Sequence, residues 1–214
     1  AGRNDFSPQG YILASDTRLF VPAGRDLPAA FDRQTGQQIF KISDSWRASN
    51  IVGGSFALLH GEHLLVGANQ AVAYSQETGR GGFAWFPARR LVVGADKAWM
   101  STRTQVSAVS FEGYAEATRL IKAQERKQAA ALDKLSVLRR TLATEKRKPA
   151  DQQNATYLAD LEKQIAAAQA DLDAIKAELE RLQAQNVQPS TLWTVDRVCE
   201  DELIVAGDVV FGGG

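Results

Sequence analysis

The chain has 214 residues, and its 25 Lys and Arg are matched by 25 Asp and Glu, so no net charge recommends nucleic acid or an anionic membrane as partner. The one cysteine, Cys199, excludes an internal disulfide and a multi-cysteine metal centre. No apolar run approaches the roughly 20 residues of a membrane span, and the length suits one domain with its own core or a domain carrying an arm.

Short apolar runs bounded by Gly, Pro and Asp open the chain, and these are strand and turn signals. The first unit reads Gly10 to Ala14, a turn over Ser15 to Arg18, then Leu19-Phe20-Val21. A second turn holds Pro22, Gly24 and Pro28, and Ala30 to Gly36 leads to Ile39-Phe40-Lys41-Ile42. The second unit repeats the plan. Phe56 to Leu59 precedes a turn at His60-Gly61-Glu62-His63, Leu64 to Gly67 follows, and Ala71 to Gly79 leads to Phe83 and Trp85. The third unit gives Leu91 to Val93, a turn at Gly94 to Lys97, Ala98 to Met100, and a strand from Gln105 to Phe111.

From Tyr114 to Gln188 the pattern changes to one of helices. The seam positions step by threes and fours through Ala117, Ile121, Gln124, Gln128, Ala131, Leu135, Leu138 and Leu142. They resume at Leu158, Leu161, Ile165, Ala168, Leu172, Ile175, Leu179 and Leu182. This is a heptad seam among strong helix formers. Between Tyr114 and Gln188 the only proline is Pro149, which marks a fold-back, with Asp151 expected to cap the second helix. With the turn near residue 150, seam partners sum to about 300, so Leu135 should face Ile165 and Leu142 should face Leu158. The expectation is an antiparallel coiled-coil hairpin with arms of about 33 residues, roughly 50 Å long.

After the insertion the strand pattern returns at Thr191-Leu192-Trp193, and a fourth unit begins at Glu202 to Val205, turns at Ala206-Gly207-Asp208 and runs on through Val209-Val210-Phe211. The domains expected are thus 1–113 for the first sheets, 114–190 for the insertion, and 191–214 for the end of unit three and the start of unit four. An insertion between a third and a fourth strand should leave from the face that carries Asp16, Gly61, Asp96 and Gly207.

Spacing makes the repeat more than an impression. Ala30, Asp32, Thr35, Gly36 and Phe40 recur as Ala73, Ser75, Thr78, Gly79 and Phe83 at identical offsets. A short polar side chain at Asp32 or Ser75 can accept from amides two or three residues on. Glycine supplies the positive φ of a tight turn, and the aromatic suits a clamp between neighbouring sheets. The third copy starts at Ala108-Val109-Ser110 and is interrupted before its turn, which makes Trp193 its displaced aromatic. Four short strands per unit suit a blade of a β-propeller.

The Ala-x-Asp-x-x-Thr-Gly-x-x-x-aromatic pattern resembles the PQQ-like β-propeller repeat, over roughly residues 5–113 and 191–214. The fold expected is therefore mainly β, about three and a half four-stranded blades of a propeller plus an α-helical insertion. Three and a half blades do not close a propeller, so the chain is expected to be a piece of a longer protein, with the remaining blades supplied elsewhere as the alternative. That superfamily holds quinoprotein alcohol dehydrogenases, the β-propeller lipoprotein of outer-membrane assembly and many envelope proteins. The resemblance implies a periplasmic or cell-envelope location. It also leaves open a PQQ-dependent dehydrogenase whose active site lies in missing blades. PQQ enters only through the resemblance, and no catalytic residue is carried over from the family.

The remaining candidates have plain structural explanations. His60 and His63 flank a hairpin turn without a third metal ligand nearby. The Gly79-Arg80-Gly81-Gly82 stretch lacks the strand–loop–helix setting of a phosphate loop. The basic residues Lys146, Arg147 and Lys148, with Arg139 and Arg140 below them, crown the hairpin tip and form the candidate interaction site, against the alternative of a solvated helix end. The resulting expectation is a non-catalytic propeller scaffold whose arm contacts a protein partner, with nucleic acid a lesser alternative.

Overall fold

The computed structural model describes residues 10–23, 26–41, 56–67, 70–80, 84–197 and 202–213. The protein is mainly β, with four antiparallel sheets and two long helices. Chain contacts divide it into two units, Ala1–Arg119 with Val187–Gly214, and Leu120–Asn186.

The first unit carries the sheets. Strands β1 (Leu13–Ala14), β2 (Arg18–Ala23), β3 (Asp26–Asp32) and β4 (Gln38–Phe40) form the first in sequential order. Strands β5 (Phe56–His60), β6 (His63–Gly67), β7 (Ala71–Ser75) and β8 (Ala84–Phe86) form the second. Strands β9 (Arg90–Val93), β10 (Lys97–Ser101), β11 (Gln105–Ser110) and β12 (Thr191–Asp196) form the third. Strands β13 (Glu202–Ala206) and β14 (Val209–Gly213) make a hairpin.

The sequence repeat is a repeat of register. Asp32 pairs with Arg18, Ser75 with His63 and Ser110 with Lys97. One residue further on, the amides of Arg33, Gln76 and Phe111 donate to the carbonyls of Thr17, Glu62 and Asp96, each at 2.9 Å. The same strand-to-turn junction is therefore built three times. The sheets also meet in one way. Phe20 and Ala30 of the first pack with Leu64, Val66, Val72 and Tyr74 of the second, with Leu13 and Trp85 at the margin. Val92, Trp99 and Val106 of the third pack with Leu203 and Val210 of the hairpin. Burial of such side chains contributes about 1.5–3 kcal/mol each.

Two junctions end in the expected turn. The Asp32 carboxylate accepts from the amides of Gln34 at 3.0 Å and Thr35 at 2.7 Å and from the Thr35 hydroxyl at 2.8 Å. The Ser75 hydroxyl accepts from the amides of Glu77 at 3.1 Å and Thr78 at 3.3 Å. Each turn closes when a glycine amide reaches back four residues, Gly36 to the Asp32 carbonyl and Gly79 to the Ser75 carbonyl, both at 2.9 Å. The two glycines sit at φ 71° and 64°. Each turn is thus one turn of α-helix stopped by a left-handed residue. Phe40 pairs with Ala30, and Trp193 pairs with Ala108 in the same place. In the second sheet Ala73 pairs with Ala84; Phe83 lies outside the described residues, as does Cys199.

The third junction continues as helix α1 (Phe111–Lys146). Phe111, expected to end a strand, is instead the first helical residue, because β11 stops at Ser110. Helix α2 (Ala155–Leu182) returns the chain, followed by a π-type turn over Gln183–Val187 and a last helical turn at Gln188–Ser190. Val109 pairs with Thr191, so the two feet of the insertion stand on adjacent strands. They approach closely: a side chain at Gly113 would meet the Ser190 hydroxyl at 3.1 Å.

Candidate interaction surfaces

Two places bear on function: the root of α1 within the sheet unit, and the helical arm. At the root, Phe111 is fully buried. Its ring stacks on Phe86 at 5.3 Å and meets His60 at 4.2 Å and His63 at 5.5 Å. Tyr114 also packs on Phe86, at 5.6 Å, and burial pushes its phenol above the ordinary range. The helix therefore starts at the edge of the sheets carrying the Gly61 and Asp96 turns, since Phe111 touches residues of both.

His60 and His63 are consequently half-buried supports of the helix rather than free turn residues. His63 Nε2 lies 3.6 Å from Glu112. Thr118, nearly buried, accepts the Trp85 amide of β8 at 2.9 Å and donates to the Tyr114 carbonyl at 2.9 Å. A helical side chain thus takes the place of a further strand along the edge of β8. Sequence reasoning missed this, although a threonine one turn after Tyr114 is the signal that could have found it.

Beside the root lies a cleft of about 260 Å³, lined among others by Glu62, His63, Ser75, Arg80, Glu112 and Arg119. Two pairs of its charged side chains meet, His63 with Glu112 and Arg119 with Glu116. Arg119 Nε donates to Glu116 at 2.6 Å, and this hydrogen bond holds the Glu116 carboxyl below the usual range. Among the described residues no three of His, Cys, Asp and Glu converge as metal ligands would.

The arm has its own core. Leu135, Ala168 and Leu172 are buried together, with Ala131, Leu138 and Ile165 packed around them. Every expected seam position, Gln124 and Gln128 included, is buried or half-buried. The helices run antiparallel: Arg139 donates to Gln169 at 3.1 Å, and Lys146, further along α1, bonds Glu162, earlier in α2, at 2.7 Å. The arms are 36 and 28 residues long rather than equal, because α1 begins inside the sheet unit.

The tip is a connected cap. Gln153 donates to the carbonyls of Lys146 at 3.2 Å and Lys148 at 2.8 Å, taking up acceptors that the end of α1 leaves open. Asn154 caps α2 by accepting the Tyr157 amide at 3.0 Å, the role expected of Asp151, which instead lies in a short 3₁₀ turn over Ala150–Gln152. Glu145, nearly buried, accepts from Lys148 at 2.6 Å and from the Asn154 amide at 3.4 Å. The Lys148 bond is the main cause that holds its carboxyl below the ordinary range.

Of the five candidate cations, Lys146 and Lys148 are engaged with Glu162 and Glu145, Arg139 with Gln169, and Arg140 with Ser136 at 3.0 Å. Arg147 is exposed. The structure places these residues near the tip, gives Lys146 and Lys148 carboxylate partners, and gives Arg139 and Arg140 neutral partners within the arm. The large apolar side chains of the arm left in solvent are Leu132, Val137 and Tyr157.

No protein-family model matches the chain, and no curated protein matches it. Among the described residues, no helix is long and apolar enough to cross a membrane.

Proposed function

We propose that this chain is a non-catalytic β-propeller segment of a larger cell-envelope protein, and that its helical arm contacts a protein partner. The observation that carries the scaffold reading is the triple junction at Arg33, Gln76 and Phe111, with one register and one mode of sheet contact on either side. Sheets repeated in this way and packed face to face are the building plan of a propeller. The envelope location comes from the motif resemblance.

Support for a binding arm is its independence of means. The hairpin holds its own core and caps both helix ends at the tip with its own residues. It also leaves Leu132 and Val137 in solvent, and exposed apolar side chains on a helix are anchors for a partner.

The test is a pair of proteins: the full chain, and a version in which Leu120–Asn186 is replaced by a short Gly/Ser linker. Both are used to retrieve crosslinked partners from cell-envelope extract. A partner retained by the full chain and lost from the armless one is the expected result. Retrieval that ignores the arm would sink the binding role. In the same preparations, dye reduction after addition of PQQ and calcium would overturn the non-catalytic reading.

A further inference from the structure

Each helix of the arm carries a second heptad row beside the seam that forms its core. On α1 the row runs Glu125, Ala129, Leu132, Ser136, Arg139 and Ala143, in steps of four and three. On α2 it runs Ala159, Glu162, Ala166, Gln169, Asp173 and Lys176, with the same steps. Both rows lie on one side of the hairpin, because Arg139 bonds Gln169, and Lys146, one heptad beyond Arg139, bonds Glu162. Glu125 and Gln169 are half-buried and every other member is exposed. Leu132 is 49% exposed. With Leu135, Ser136, Arg139, Arg140 and Ala143 it lines a groove of about 420 Å³. A helix with two adjacent heptad rows is patterned to touch two neighbours, and α1 and α2 each have one.

Charge selects the second neighbour. Between Leu120 and Lys146, α1 carries seven Lys and Arg against three acids, whereas α2 carries six acids against three Lys and Arg. The outer row of α1 therefore suits the outer row of an α2 from another copy. The match also holds level by level. In an antiparallel pair folded near residue 150, residues at one level have numbers that add to about 300. Glu125 then falls on Lys176, Arg139 on Glu162, Leu132 on Gln169 and Ala143 on Ala159. No two like charges coincide, and the one acid of the α1 row meets the one lysine of the α2 row. Within a single hairpin these charges have other partners: Glu125 has Lys122, Lys176 has Asp173 and Glu162 has Lys146. Exposed pairs of this kind hold weakly, so they can be exchanged for pairs between copies.

We propose that the arms of two copies of this chain pair along these rows, α1 of one on α2 of the other, about a twofold axis parallel to the arm. The contact is made twice, and each of the four helices has antiparallel neighbours. The pairing rests on the reading of the arm as a binding element and names its partner.

Sedimentation velocity on the intact chain at increasing concentration should show a dimer. Leu132→Glu should raise its dissociation constant about tenfold or more. Lys134→Glu, on α1 but off the row, should leave it unchanged. Far-ultraviolet circular dichroism confirms that both variants are folded, and Ser136→Glu replaces Leu132→Glu should the latter unfold. Crosslinking reads the arrangement. In a Cys199→Ser background, Ala143→Cys and Ala159→Cys variants mixed in equal amounts should give a disulfide-linked dimer on mild oxidation, and neither should link to itself. Association that Leu132→Glu leaves intact overturns the proposal, as does a mixture that yields no linked dimer. A monomer whose arm still captures an envelope protein defeats this pairing alone; a monomer whose arm captures nothing defeats the binding arm as well.

Discussion

The link between third and fourth strands is made in two ways in this molecule. From Asp32 the chain takes one helical turn and is stopped by Gly36 at φ 71°. From Ser110 it starts the same way, with the Phe111 amide on the Asp96 carbonyl where Arg33 uses Thr17. Four residues after Asp32 stands Gly36; four residues after Ser110 stands Tyr114, for which a left-handed backbone costs about 1–2 kcal/mol. The helix therefore continues to Lys146. Nucleating the first turn is the unfavourable step in helix formation, and the repeat already supplies that turn. A 36-residue helix can thus replace a tight turn without disturbing the strands that flank it.

Removing what holds the helix root should break the comparison most severely. Phe111→Ala takes a fully buried ring out from between His60 and Phe86 and should cost about 3–5 kcal/mol in urea unfolding of the sheets. The first junction has Arg33, exposed, at that place, so Arg33→Ala should change little. In the arm, Leu172→Ala should cost about 2–5 kcal/mol. All four tryptophans, Trp46, Trp85, Trp99 and Trp193, lie outside Leu120–Asn186. The helical signal at 222 nm should therefore melt earlier while tryptophan fluorescence does not; coincident shifts would show that sheets and arm unfold as one.

Thr118→Val keeps the shape of the side chain and removes the acceptor of the Trp85 amide, a loss of about 1–3 kcal/mol. Thr118→Ser should restore most of it. Gly36→Ala should cost about 1–2 kcal/mol, since nothing crowds a side chain there and the penalty is one of backbone alone. Gly79→Ala, at φ 64° but buried, carries the same backbone penalty and should cost at least as much.

The smallest effect separates Asp32 from Ser75. Hydrogen bonds from Thr35, first its amide and then its hydroxyl, hold the Asp32 carboxyl below the ordinary range. Its contribution is present above the unfolded value of about pH 3.9 and fades as pH falls through the lower native one. Asp32→Asn should flatten the acid limb of melting temperature against pH, whereas Ser75→Ala should shift the curve without changing its slope. An unchanged acid limb in Asp32→Asn would remove the carboxylate from the account.

Much of this was legible in the chain itself. The offsets from Ala30 to Phe40 and from Ala73 to Gly79 anticipate the turns, because those turns are made by side chains two and three residues away. The hairpin is legible for the same reason: its seam repeats locally, and Leu135, Ile165 and Ala168 meet in one cluster. The candidate tip was half legible. Its residues lie where expected, but Glu145 and Glu162 neutralise Lys148 and Lys146, and that pairing depends on how the two helices lie against each other. The caps escaped because Asp151 and Asn154 are both good N-caps, and the 3₁₀ turn at Ala150–Gln152 selects between them.

Local order, then, was determined by the sequence alone: strand after strand, a glycine where a turn must end, heptads where it does not. Only the tertiary structure decided that Phe111 belongs to a helix, that His60 and His63 support it, and that Thr118 completes the edge of β8. Those outcomes turn on which side chains from distant parts of the chain occupy the same small volume. Periodicity fixes how neighbours along the chain are arranged, and it carries no term for that.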